Sequence, residues 1–138
     1  MDNRPSFDDI MLATASLFGD RSTCRRLHVG CVVAVENRIV TCGYNGPPAK
    51  QEHCSEECSA ANELGCSRSI HAEINAIAFA AKRGISLQGG TFYVTHAPCI
   101  NCASAILASG AIELVFMFKY KNDDGINFLI QNGVTVIQ

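Results

Sequence analysis

Ile70-His71-Ala72-Glu73-Ile74-Asn75-Ala76-Ile77-Ala78 and Thr91-Phe92-Tyr93-Val94-Thr95-His96-Ala97-Pro98-Cys99-Ile100-Asn101-Cys102 decide how this chain is read. In the first segment Ile74, Ile77, Ala78 and Ala81 recur at the spacing of one apolar helix face, and the pattern stops at Gly84. In the second, strand-like Thr91 to Thr95 leads into a helix that carries Ala103, Ile106 and Leu107 and stops at Gly110. His71 and Glu73, and likewise Cys99 and Cys102, therefore fall at the starts of two helices, each beside a strand. Pro98 is expected in the first turn, where its missing N–H is no loss. Cys99 and Cys102, at i and i+3, share a face.

Working outward, Ser6 with Asp9 reads as a capping box, and Phe7, Ile10, Met11, Leu17 and Phe18 continue at helical spacing to Gly19. Cys31 to Val35 is an unbroken apolar run, as in a strand covered on both faces, and Ile39 to Tyr44 pairs with it across Glu36-Asn37-Arg38. Residues 45–69 are polar and rich in Gly, Pro, Ser and Cys, and read as a long loop. Ile112 to Phe118, a short helix over Asp124 to Gln131, and Val134 to Ile137 complete an α-β-β-α-β-α-β-α-β order. That order predicts one domain over residues 1–138, an α/β three-layer α/β/α sandwich around a five-stranded mixed sheet.

With 138 residues and 48% hydrophobic content, such a domain can bury its own core. No apolar run reaches the length of a membrane span, and Met1-Asp2-Asn3-Arg4-Pro5 does not resemble a secretory signal. The expected location is cytoplasmic. A net charge of −2 argues against an extended nucleic-acid surface. The eight Cys, in a chain without a signal peptide, read as metal ligands and buried apolar residues rather than disulfides.

One imidazole (His71) and two thiolates (Cys99, Cys102) make three ligands for tetrahedral zinc and leave a fourth position for water. Glu73 has no place in a closed structural site. As a base it can take a proton from water activated by the metal. A positive helix end lowers thiol pKa, so both sulfurs are expected to bind as thiolates. A structural zinc ribbon would call for a second Cys pair in similar array, and none stands near residues 99–102.

H-x-E paired with P-C-x-x-C is the signature of zinc-dependent nucleobase deaminases. Arg21-Ser22-Thr23-Cys24, Val29-Gly30, Gly43-Tyr44-Asn45-Gly46-Pro47-Pro48, His53-Cys54, Ile70 to Ile77 and Tyr93 to Cys99 closely resemble the deoxycytidylate (dCMP) deaminase family. The resemblance runs from about residue 5 to the end. Its more specific part is the G-Y-N-G-x-P segment followed by His53-Cys54, and the compact size is most like viral and bacterial members, for which the location would be the host or bacterial cytoplasm.

The resemblance implies hydrolytic deamination of dCMP to dUMP and ammonia, feeding thymidylate synthesis, with zinc on His71, Cys99 and Cys102 and Glu73 as the proton carrier. It assigns Asn45 to the deoxyribose and base, and the Ala72 backbone to the pyrimidine. Arg21, Arg26, Lys119, Tyr120 and Lys121 are the phosphate candidates, Tyr120 having the best positional match. A second, structural zinc is implied at Cys24 and Cys54, completed by Cys58, Cys66 or His53. Cys31 and Cys42 read as core.

Family members are typically homo-hexamers activated by dCTP and inhibited by dTTP. The resemblance places the effector, with Mg²⁺ on its triphosphate, near the Gly43 to Pro48 loop, including Gly46, and near the helix after Glu73, where Phe79 and Lys82 would face a subunit interface. Two positions depart from the family pattern. Lys50 replaces a Gly common in this loop, and Ser104 stands where a Lys often follows C-x-x-C-A. Some relatives also accept dCTP as substrate. The rival readings are a deaminase of the same fold acting on tRNA adenosine, free nucleoside or free base, and a zinc-stabilised binding module without chemistry.

Overall fold

The computed structural model describes residues 2–24, 26–52, 61–62, 65–66 and 69–138. Helix α1 (Phe7–Gly19) is followed by strands β1 (Gly30–Val35) and β2 (Arg38–Tyr44), and then by two short strands, β3 (Ala61–Asn62) and β4 (Gly65–Cys66). The chain continues through α2 (Ala72–Arg83), β5 (Thr91–His96), α3 (Ile100–Ala108), β6 (Glu113–Phe118), α4 (Asp124–Gln131) and β7 (Thr135–Ile137). The main sheet has the order β2-β1-β5-β6-β7. β1 runs antiparallel to both β2 and β5, whereas β5, β6 and β7 are mutually parallel. This is the expected five-stranded mixed sheet.

Its two faces carry different loads. Cys31, Val33, Phe92, Val94, Leu114 and Phe116 point to one side, where Ala72, Ala76 and Ala80 of α2, Ala103 and Ile106 of α3, and Leu129 of α4 cover them. Val32, Ala34, Tyr93 and Val115 point to the other and meet Met11 and Ala15 of α1. β1 is buried along nearly its whole length, as its unbroken apolar run requires.

Glycine at position 30 decides how closely α1 lies on the sheet. A β-carbon there would stand 1.7 Å from the Ala15 carbonyl oxygen, so only Gly admits this contact. Met11, Ala15 and Gly19 form the buried stripe of α1. Phe7, Ile10 and Leu17 follow helical spacing but lie exposed on its flanks.

The helix termini carry their own signals. Ser6 caps α1, its Oγ accepting from Asp9 N–H at 3.0 Å. Gly84 closes α2 in the left-handed region at φ 67°. Within residues 45–69, read as a loop, β3 and β4 pair antiparallel, and Gly46 bridges Ile70 through both backbone bonds, at 3.1 and 2.8 Å. That bridge lays the segment after Asn45 alongside the entry to α2. Cys31 is fully buried, but Cys42 is only half-buried at the edge of the α1 side, because β2 is an edge strand. No helix among the described residues is long and apolar enough to cross a membrane.

Candidate active site

His71 is the N-cap of α2, with extended φ −66° and ψ 152°, and Glu73 lies within the helix that begins at Ala72. The change of backbone between them removes the divergence an i, i+2 pair would have in mid-helix, and both residues line one cleft. Helix α2 is held against β2 by Thr41 Oγ1, which donates to the Ala76 carbonyl at 2.9 Å, and by Asn75 Nδ2, which donates to the Tyr44 carbonyl at 3.0 Å.

Cys99 is the N-cap of α3, and its Sγ accepts from Cys102 N–H at 3.5 Å. Pro98 therefore stands just before the cap rather than in the first turn. There its missing N–H costs no helix bond, and its rigid φ directs the chain into the cap. Gly125 at the start of α4 packs on the same turn, where a β-carbon would meet the Pro98 carbonyl oxygen at 2.2 Å.

His71 Nδ1 lies 3.2 Å from Cys102 Sγ and 3.7 Å from Cys99 Sγ, and the three ligand atoms all fall within 4.8 Å of one another. Ligand atoms around tetrahedral zinc, with Zn–N of about 2.0–2.1 Å and Zn–S of about 2.3 Å, are separated by roughly 3.6–3.8 Å. The His71–Cys99 distance matches this separation, the His71–Cys102 distance is shorter than it, and the softness of the donors fits zinc. Among the described residues no fourth His, Cys, Asp or Glu joins the cluster, and Glu73 is not a member of it. Three protein ligands with a neighbouring carboxylate match the pattern of catalytic zinc sites, which keep a coordination position open.

The cluster's electrostatics suit a cation. Hydrogen bonds from the Cys102 thiol and from His71 pull the Cys99 thiol down to about 3. Cys102 moves strongly upward, chiefly because it donates to Cys99 and secondarily through burial. A divalent ion would displace the thiol protons on binding these sulfurs. The bond to Cys99 raises His71 against the opposing effect of burial. Glu73 is 4% exposed, and burial raises its carboxyl above the usual range, partly offset by its own backbone amide and by His71. A carboxyl tuned upward in this way is suited to taking up and releasing a proton.

The cleft above the cluster has a volume of about 220 Å³. Of the residues expected from sequence, His71, Ala72, Glu73, Cys99, Asn45, Arg26, Tyr120 and Lys121 line it. Arg21 is exposed and does not, and Lys119 instead pairs with Asp123 at 3.7 Å. Lys121 sits over the Tyr120 ring, 5.4 Å from its centroid.

Asn45 is 9% exposed, and its amide is already engaged: Nδ2 donates to the Leu27 carbonyl at 2.7 Å and Oδ1 accepts from Val29 N–H at 2.8 Å. It braces the 27–29 segment as well as facing the cleft.

Gly46, Lys50, Phe79 and Lys82 lie outside the cleft lining. Lys50 takes φ 71°, the left-handed conformation that favours the glycine it replaces. Phe79 is 45% exposed, with the Arg83 guanidinium over its ring. Cys24 is buried and lines the cleft. His53, Cys54 and Cys58 lie outside the described residues, as does the side chain of Cys66. Sequence reading missed His96, Ser69 and Asp124 on the cleft wall. His96 ends β5 three residues before the Cys99 cap, and the strand-to-helix reasoning that placed Cys99 could have found it.

An imidazole at one helix cap, a thiol at another and a second thiol three residues on, beside a buried carboxylate outside their cluster, are the arrangement of a zinc-dependent deaminase of a nucleobase. The family described as the cytidine and deoxycytidylate deaminase zinc-binding region matches residues 5–118, and the chain belongs to it. It is 38% identical over 136 residues to ComE operon protein 2 of Bacillus subtilis, covering 98% of this chain and 72% of that protein. It is 34% identical to the deoxycytidylate deaminase of Enterobacteria phage T4, covering 89% of this chain and 84% of the phage enzyme. The solved dCMP deaminase of cyanophage S-TIM5, in complex with dCMP and dUMP, superposes with a TM-score of 0.86 at 31% identity, covering 99% of this chain and 100% of that one.

Proposed function

We propose that this protein hydrolyses dCMP to dUMP and ammonia. The observation that carries the reading is the full-length likeness to the cyanophage enzyme solved with dCMP and dUMP. A cleft lined by Arg26, Tyr120 and Lys121 supports it, since a nucleoside monophosphate needs cations and a hydroxyl for its phosphate.

His71, Cys99 and Cys102 would hold zinc, whose Lewis acidity would make water a competent nucleophile near neutral pH. Glu73 takes the proton that water gives up as its oxygen attacks C4 of cytosine, and passes it to N3. It then takes the second proton from the hydroxyl now on C4 and delivers it to the departing amine, so that the C4–N bond breaks, C4 keeps its oxygen as a carbonyl and ammonia leaves. Asn45 and the Ala72 backbone orient the sugar and base. The dry setting of Glu73 keeps the carried proton from exchanging with bulk water.

The product would feed thymidylate synthesis. Activation by dCTP and inhibition by dTTP, with Mg²⁺ on the triphosphate and a hexameric assembly, belong to the same reading. The exposed Phe79 face of α2 supports it. A second zinc on Cys24 with Cys54, completed by Cys58, Cys66 or His53, is supported by the burial of Cys24. Ammonia release from dCMP, dCTP and deoxycytidine, with and without dTTP, tests the reading, and metal stoichiometry tests the second zinc. Turnover of dCTP as well would make this a dual-substrate enzyme, and turnover of none would overturn the reading.

A further inference from the structure

His96 closes β5 and lines the cleft, yet no step of the deamination uses it. Its hydrogen bonds define its state. Thr95 is 4% exposed, and its Oγ1 lies 3.1 Å from Gly30 N and 2.8 Å from His96 Nδ1. The Gly30 amide can only donate, so it occupies a lone pair of Oγ1. The buried hydroxyl proton then needs an acceptor, and among the described residues His96 Nδ1 is the one in reach. Nδ1 is therefore bare and the ring proton sits on Nε2. Burial lowers the affinity of the imidazole for a second proton.

Two rings pack on this imidazole. Phe118, its partner in the parallel β5–β6 register, is 5.5 Å away and tilted by 41°. Tyr120 meets it edge-on at 6.1 Å and 76°. Tyr120 lies beyond the end of β6, is 39% exposed, and is followed by Lys121 at φ 58°. Among the described residues no strand bond holds Tyr120, and its ring is contacted by the His96 imidazole and by Lys121 Nζ, 5.4 Å from its centroid.

We propose that His96 is the positioning residue that seats Tyr120 against the nucleotide, with the Thr95 hydroxyl holding the imidazole in the orientation that does so. The inference rests on the dCMP reading and on Tyr120 meeting the sugar-phosphate end of the substrate. An edge-on aromatic contact is worth about 0.5–1.5 kcal/mol, or roughly two- to twelvefold in affinity.

The test is steady-state ammonia release from dCMP and from deoxycytidine by the zinc-loaded full chain. The proteins are wild type, His96→Ala, His96→Phe, Tyr120→Ala and the His96→Ala/Tyr120→Ala double variant. His96→Ala should raise KM for dCMP about two- to twelvefold more than KM for deoxycytidine, with the larger effect on KM rather than kcat. His96→Phe keeps a ring between Phe118 and Tyr120 but offers Thr95 no acceptor, and should recover part of the loss. In the double variant, His96→Ala should add little to Tyr120→Ala. Should His96→Ala fail to fold, His96→Phe is paired with Tyr120→Ala and read in the same way. Equal losses on both substrates, or additive losses in the double variant, overturn the inference and leave the dCMP reading standing. Absence of dCMP turnover by wild type overturns both.

Discussion

Gly43 of β2 lies so close to the first turn of α2 that a β-carbon on it would stand 2.5 Å from the Ala72 carbonyl oxygen and 2.8 Å from the Ala76 amide nitrogen. Both neighbours are backbone and cannot rotate away. The turn that Gly43 supports is the one that presents His71 and Glu73. Gly43→Ala should therefore push α2 off the sheet, lowering stability by about 1–3 kcal/mol and weakening zinc retention. Denaturant unfolding and metal content measure the two effects. Unchanged values for both would contradict this account of the site's support.

Asn45 gives a second structural prediction. Asn45→Ala leaves the Leu27 carbonyl and the Val29 amide without their partner in a nearly buried setting. A loss of about 1–3 kcal/mol is expected by chemical denaturation. The loss should appear without substrate, because the bracing is independent of any sugar contact.

The ligands and the proton carrier should separate cleanly. His71→Ala and Cys102→Ala should lose zinc, since two donors do not hold the ion as three do. Chelation of wild type should abolish activity, and added zinc should restore it. Glu73→Gln should keep the metal, because Glu73 is outside the ligand cluster. Elemental analysis of the purified variants decides each case.

Tyr93 supplies a pH prediction. It is buried, and its hydroxyl donates to Asp8 Oδ1 at 3.1 Å. Burial first and the Asp8 carboxylate second raise its phenol from 10.0 to about 12. A raised folded-state pKa means the folded chain holds this proton more tightly than the unfolded one. The associated stability is complete below pH 10 and declines as pH rises toward 12, by roughly 2–3 kcal/mol over that interval. Tyr93→Phe should flatten that decline in alkaline unfolding curves. An equally steep decline in the variant would refute the assignment.

Much of this was legible in the sequence because the apolar periods of α2, β1 and α3 agree with their caps and stops. The Cys31 to Val35 run announced a strand buried on both faces, and Gly84 announced a helix end. Other features depend on contacts that no local pattern carries. Phe7, Ile10 and Leu17 share helical spacing with Met11, yet the glycine at position 30 fixes which stripe of α1 reaches the sheet. The short β3–β4 hairpin arises in a stretch without alternation. The cleft is lined by Arg26 and Lys121 and not by Arg21 and Lys119, a sorting set by tertiary placement that charge alone does not report. His71, Glu73, Cys99 and Cys102 were readable because chemistry restricts both their types and their spacing.

The central claim is that Glu73 moves the proton while His71, Cys99 and Cys102 hold the metal. Its most direct test is ammonia release from dCMP by wild type and Glu73→Gln, each with its zinc content measured. The account predicts turnover by wild type and a loss of at least about 10²-fold in a Glu73→Gln protein that still carries its zinc. Wild type that binds zinc but releases no ammonia from dCMP, or a zinc-loaded Glu73→Gln that turns over at the wild-type rate, would contradict it.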